Sequence, residues 1–227
     1  MDDLRDTLRH VLWIGGPPDA GKSTVADLLG GKHGLSVYHF DRHEMDHIAR
    51  ADPVRSPQLY ALRVQLAELD EGVWLEEFWV RRSAQEMTLG TIASWSERVG
   101  LAVEDILAMP MDRPLIAEGA GFFPEVILPL LSTPCQAIFL APSEAFKRAS
   151  HERRAKSERR DRTSDPERFL RNHIERDLLM AAHYRRAASE LGLTLIDVDG
   201  SRAVEQVAAA VEAHFEPLLA GPRTARE

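Results

Sequence analysis

The chain has 227 residues, 44% of them apolar, which suits one domain, or one domain with a sizeable insertion, around a proper core. A net charge of −8 argues against a general nucleic-acid binder, because phosphate neutralisation needs a basic face. The single cysteine, Cys135, excludes an internal disulfide and fits a reducing cytosol.

The start, MDDLRDTLRH, is charged and leads into no signal-peptide apolar region. No uninterrupted apolar run is long enough to span a bilayer. The expectation is therefore a cytoplasmic chain with no membrane partner. Val11 to Ile14 is a short apolar run before Gly15-Gly16-Pro17-Pro18 and reads as a buried strand. Lys22 to Leu29 reads as a helix with Val25, Leu28 and Leu29 on one face, stopped by Gly30-Gly31. Leu35 to Phe40 reads as a second strand, Pro114 to Ala117 as a third, Gln136 to Ala141 as a fourth and Leu193 to Val198 as a fifth. Helical patterns separate most of them. Phe146 to His183 is strongly charged, and Ala203 to Phe215 is amphipathic.

Strands alternating with helices imply βαβ units and a parallel sheet. The stretch 41–113 between strands two and three is far longer than one crossover needs. Leu59, Leu62, Leu66, Leu69, Trp74, Leu75, Phe78 and Trp79 recur there at helical spacing. The expectation is a helical insertion of three or four helices over 42–112. Its tryptophans, Trp74, Trp79 and Trp95, are read as core ahead of a substrate-pocket lining. The tail 221–227 is expected to fray.

Gly16-Pro17-Pro18-Asp19-Ala20-Gly21-Lys22-Ser23 fits G-x-x-x-x-G-K-[ST], and Thr24 follows. Glycines let the backbone turn tightly enough for successive N–H groups to cradle phosphate oxygens, and the helix that follows adds its positive end. Lys22 would supply charge to the β- and γ-phosphates of ATP, and Ser23 a hydroxyl to Mg²⁺. Gly16, Asp19, Ala20, Gly21, Lys22, Ser23 and Thr24 are thus the candidate nucleotide-binding residues.

His43-Glu44-Met45-Asp46-His47 also fits H-E-x-x-H, the zinc-protease signature. A zinc site needs that motif in mid-helix with a third ligand downstream. Here it follows a strand end, Pro53 and Pro57 limit any helix, and nothing singles out Glu68 or Asp70 as the third ligand. The favoured reading is a solvated helix start rich in His and acids. In open α/β sheets ligands bind beyond the carboxyl ends of the strands. Asp41 is expected there, beside the strand that feeds the phosphate loop. It could orient an attacking hydroxyl or take its proton, and Arg42 could bind an anionic group. The competing role for Asp41 is a helix N-cap.

At these residues the chain resembles the nucleoside- and metabolite-kinase branch of P-loop proteins. GGPPDAGKST resembles the adenylate-kinase-like loop, with Asp19 where glycine is common. FDR after strand two resembles the substrate-side Asp-Arg of several small-molecule and polynucleotide kinases. The resemblance covers roughly 10–41 and 113–216. It implies a five-stranded parallel sheet flanked by helices, a substrate-side insertion at 42–112, a lid at about 150–166, and a core of 1–41 with 113–220.

The resemblance also gives roles to three further places. Glu118, in LIAEGAGFFP, would hold Mg²⁺ through water or act on the substrate hydroxyl; a surface acid at a strand end is the alternative. Arg153 and Arg160 are the lid arginines expected to meet the transferring phosphoryl, against the plainer reading of a solvated helix. Gly200, in DVDGSRA, would lie near the adenine base, or simply form a turn.

The implied activity is transfer of the γ-phosphoryl of ATP to a hydroxyl of a nucleoside, sugar-like metabolite or antibiotic, with Mg²⁺. A nucleoside monophosphate kinase using Arg50, Arg55 and Arg63 is the alternative within enzymes. A P-loop ATPase or switch acting on a partner protein is the alternative of another class, and a zinc metalloprotease is the remote one. The partners expected are ATP and a small-molecule acceptor, with no nucleic acid. The oligomeric state is left open, a homodimer among the options.

Overall fold

The computed structural model describes residues 2–154 and 160–219, and side chains over 3–150 and 160–219. Five strands, β1 (Val11–Gly15), β2 (Ser36–His39), β3 (Leu115–Gly119), β4 (Ala137–Pro142) and β5 (Thr194–Val198), form one sheet in the order β2-β3-β1-β4-β5. Every pairing is parallel, with Val11 opposite Leu115, Ser36 opposite Leu115, Trp13 opposite Ala137 and Ile138 opposite Thr194.

The apolar runs are continuous because the sheet is covered on both faces. Along β1, Val11 and Trp13 enter one core cluster with Phe122, Phe139 and Tyr184, whereas Leu12 and Ile14 enter the other with Leu29, Val211 and Phe215. The helices are α1 (Asp2–Thr7), α2 (Lys22–His33), α3 (Glu44–Ala49), α4 (Pro57–Glu68), α5 (Glu71–Leu75), α6 (Ala84–Leu107), α7 (Pro124–Ile127), α8 (Glu144–Arg154), α9 (Pro166–Glu190) and α10 (Val204–Leu219). Helices α2 and α10 cover one face of the sheet, and α6, α7 and α9 the other. No described helix is long and apolar enough to cross a membrane.

Between β2 and β3 lie α3, α4, α5 and α6, the helical insertion expected there. A π-helical stretch over Glu76–Arg81 follows α5. The wider turn changes the carbonyl register, and Asn172 on α9 donates to the carbonyls of Trp79 (2.9 Å) and Arg82 (3.1 Å). Helix α6 starts with a reciprocal capping box between Ser83 and Glu86. Helix α9 starts with Asp165 accepting from the Arg168 amide and with Pro166 in its first turn.

Two expectations are corrected. Helix α2 does not stop at Gly30-Gly31 but continues to His33, closed by Gly34 at φ 65°. Gly30 is a packing residue: a Cβ there would sit 2.7 Å from Val37 Cγ2, so its bareness lets α2 lie against β2. The second correction concerns strand order. β2 does not adjoin β1, because β3 lies between them. Asp41, on the 3₁₀ turn Phe40–His43 after β2, is therefore two strands from the loop strand, and Glu118 at the end of β3 is one strand away.

Candidate functional site

The loop 16–21 joins β1 to α2. Gly16 has φ 142°, and a Cβ on it would meet the Leu140 carbonyl oxygen at 2.1 Å, so only glycine lets the loop leave the sheet against β4. Gly21 has φ 82° at the start of α2. Asp19 is the one positive-φ residue other than glycine among the described residues, at 65°, a conformation Asp tolerates better than most. Lys22 is 5% exposed and its ammonium reaches back across the loop to donate to the Pro17 carbonyl at 3.0 Å. Ala20 is buried; Thr24 is exposed in the first turn of α2.

Beside this loop stands Glu118, 1% exposed and therefore not a surface acid. Its Oε1 accepts from Ser23 Oγ at 3.0 Å and lies 2.7 Å from His39 Nδ1. The strand register sets this up, since His39 pairs with Glu118 across β2 and β3. Glu118 Oε2 is buried without a hydrogen-bond partner. Such an atom costs about 1–3 kcal/mol, more when charged, so its presence asks for a reason. A hydroxyl and a carboxylate together are a hard, all-oxygen donor set of the kind that suits Mg²⁺.

The acid at position 19 has an answer too. Its carboxylate accepts from Lys147 Nζ at 2.6 Å. Lys147, on α8 and fully buried, also binds Asp177 of α9, and Asp177 accepts from Arg176 Nε at 2.8 Å. Burial would raise the Asp177 carboxyl, but the charges of Arg176, His173 and Lys147 outweigh it and hold it at about 2. A buried ionic chain thus runs from the loop to α9.

Two cavities lie among these elements, and the first borders the loop. One, of about 340 Å³, is lined by Asp19, Ala20, Gly21, Phe146, Gly200 and Arg202 among others. Gly200 shares this cavity with the loop, at φ 86°, and a Cβ on it would lie 3.0 Å from the Phe146 ring. The other, of about 280 Å³, lies in the insertion. Trp74, Phe78, Trp79, Trp95, Arg82 and Arg176 form much of its wall, and Glu44 borders it. Its Trp95 carbonyl would lie 3.2 Å from a Cβ on Gly121, so the cavity abuts the carboxyl end of β3. The tryptophans expected as core line this cavity while also packing on core clusters.

Asp41 and Arg42 are both exposed. No side chain caps the 3₁₀ turn or α3, which removes the N-cap role considered for Asp41. Arg42 lines a separate cleft with Tyr38, His43 and Asp105, away from both cavities. Arg160 pairs with its neighbour Asp161 at 2.9 Å. The side chain of Arg153 lies outside the described residues, as does most of the expected lid. Arg50 is held by Asp46, Glu104 and Asp105, Arg55 by Glu104, and Arg63 donates to the Ala51 carbonyl. These three are engaged within the insertion rather than gathered as a phosphate clamp.

The H-E-x-x-H segment is not the solvated helix start expected of it. His47 is fully buried. Its Nε2 lies 2.8 Å from Asp105, and its Nδ1 accepts from Arg98 Nε at 3.5 Å. Glu44 accepts from Arg98 at 3.2 Å. Both His47 nitrogens are engaged, so neither is free to ligate zinc. Asp46, His47 and Asp105 do group closely enough for a metal, but the Arg50 guanidinium already bridges the two aspartates, at 3.0 and 2.6 Å.

Burial, the largest influence, lowers the His47 pKa below its usual 6.5, against the opposing bond to Asp105. A depressed histidine favours folding fully above the unfolded pKa, and that contribution is lost as pH falls below it. Wild-type stability should fall from pH 6.5 toward 5. His47→Gln should flatten that slope by up to about 1.4 kcal/mol per pH unit, read by urea denaturation across the range. An unchanged slope would remove His47 as its source.

Sequence reasoning missed His39, Arg98, Arg176, Lys147 and Asp177. For Lys147 there was a signal, because an acid inside a buried glycine loop calls for a nearby cation. Comparison with protein-family models and with curated proteins returned no match.

Proposed function

We propose that the protein is an ATP-dependent kinase of the P-loop type that phosphorylates an alcohol on a small molecule. The observation that carries the reading is one cluster: the glycine loop, Lys22 at its mouth, and Ser23 bonded to the buried Glu118 with its unpartnered Oε2. The cavity bordering the loop supports it as room for the donor, and the cavity in the insertion offers room for an acceptor.

In this reading the 16–21 backbone and Lys22 hold the β- and γ-phosphates. Phe146 and Gly200 lie where the base would sit. Ser23 and Glu118 would hold Mg²⁺, which when bound neutralises charge on the phosphate oxygens. The acceptor occupies the cavity in the insertion. Its hydroxyl oxygen attacks the γ-phosphorus, the bond to the β–γ bridging oxygen breaks, and ADP leaves with the electron pair. The hydroxyl proton passes to a carboxylate, Asp41 or Glu118. The buried Glu118 faces Ser23, so it suits the metal better, and the exposed Asp41 is free to take the proton.

Screening alcohols for stimulated ADP release with Mg-ATP tests the class, and a product heavier by about 80 Da, one phosphoryl group, establishes it. Lys22→Ala should lower kcat by at least about 10²- to 10³-fold, the scale of losing one charged donor to a developing anion, with little change in melting temperature. Near-normal turnover in that variant would sink the kinase reading. Asp41→Asn should leave stability unchanged, because the side chain makes no cap, and lower kcat by about 10²-fold or more. A fully active Asn variant would place the base elsewhere.

A further inference from the structure

The cavity in the insertion carries chemistry that selects its occupant, and the selection rests on the kinase reading only in naming that occupant the acceptor. Trp74 and Phe78 stack with centroids 5.1 Å apart and planes 9° from parallel, and Trp79 stands edge-on to Phe78 at 4.9 Å. Trp95 joins them in the wall. Guanidiniums lie on this aromatic wall: Arg82 is 5.3 Å from the Phe78 centroid, and Arg176 is 4.7 Å from that of Trp79. Gln58, Gln65, Thr91 and Ser94 add amides and hydroxyls. Among the described residues the only carboxylate in the lining is Glu44, and it accepts from Arg98.

Aromatic faces take flat or apolar rings, and a polyol without such a face gains little from them. Two guanidiniums repel an ammonium ligand, although bare aromatic rings would attract one. Asp177 compensates Arg176, so among the described lining residues Arg82 is the cation that would meet an anionic group. We propose that the cavity binds a flat aromatic-ring alcohol that carries a carboxylate, the carboxylate meeting Arg82, and that it rejects polycationic amino sugars and simple polyols.

The test uses the full chain without ATP and matched probes: 4-(hydroxymethyl)benzoate, 4-(hydroxymethyl)benzylamine and sorbitol, followed by tryptophan fluorescence. Saturable quenching is expected with the benzoate, at least about tenfold tighter than with the amine, and none with sorbitol. Arg82→Gln keeps much of the stem and removes the charge, and it should weaken the benzoate about tenfold with the melting temperature unchanged. Equal or tighter binding of the amine, saturable binding of sorbitol alone, no binding of the benzoate, or benzoate binding indifferent to that substitution would each overturn the proposal. Because binding is read without nucleotide, benzoate binding with no ADP release from any alcohol would leave this site standing and remove the kinase reading. ADP release that favours polyols would do the reverse.

Discussion

Lys147→Met is expected to destabilise the protein by about 3–5 kcal/mol, the usual loss when one partner of a buried ionic group is removed. Lys147 is fully buried between Asp19 and Asp177. Methionine fills most of its volume, so the loss is electrostatic rather than a cavity. Asp177 retains Arg176, but the Asp19 carboxylate, itself only 4% exposed, is left without its ammonium. Asp19→Gly in the same background removes that charge and suits the 65° φ of the position. The double variant should therefore recover much of the lost stability, and urea midpoints of the four proteins make a complete cycle. A Lys147→Met protein within about 1 kcal/mol of wild type would show that the chain of charges is not a stabilising unit. The same network sets an acid limit. Asp177 is depressed from 3.8 to about 2, so its contribution is whole above pH 4 and disappears as pH falls from about 4 toward 2.

The elements most legible in the sequence were those whose signal is local. The five strands are apolar runs bounded by turn residues, and each is observed within one or two residues of its expected limits. The loop geometry follows from glycines at positions where the backbone needs positive φ or close approach. What was not legible depends on which strands become neighbours. Nothing in Leu35 to Phe40 says that β3 inserts between β2 and β1, and that order moves Glu118 ahead of Asp41 as the acid beside the loop. The burial of His47 was hidden for the same reason: its partners, Arg98 and Asp105, lie more than fifty residues away on α6. The glycine pair in α2 misled because glycine marks helix ends and close packing alike, and only the position of Val37 separates the two.

Glu118→Gln should separate function from folding more sharply than any other substitution in the centre. The residue is an acid 1% exposed, with one oxygen serving Ser23 and His39 and the other unpartnered. A buried, half-satisfied carboxylate is a poor choice for stability alone. Glutamine keeps the shape and one carbonyl acceptor, and it removes the charge whose burial is unfavourable. The variant should melt at the wild-type temperature or above it, the pattern of a site retained for activity at the expense of stability. Turnover should behave oppositely. A neutral amide is a far weaker partner for a hard divalent cation than a carboxylate, and it accepts no proton. The kcat should fall by about 10²- to 10⁴-fold, and the Mg²⁺ concentration for half-maximal rate should rise, while nucleotide binding without metal is little changed because the 16–21 loop is untouched. A purely structural Glu118 predicts the reverse: a lower melting temperature, with the turnover of the remaining folded protein close to normal. Measuring melting, kcat and the Mg²⁺ dependence of one variant therefore decides between them. Were turnover to stay near wild type, the metal would need a carboxylate other than Glu118, with Asp27, 3.2 Å from His39 Nε2, an acid of the same network.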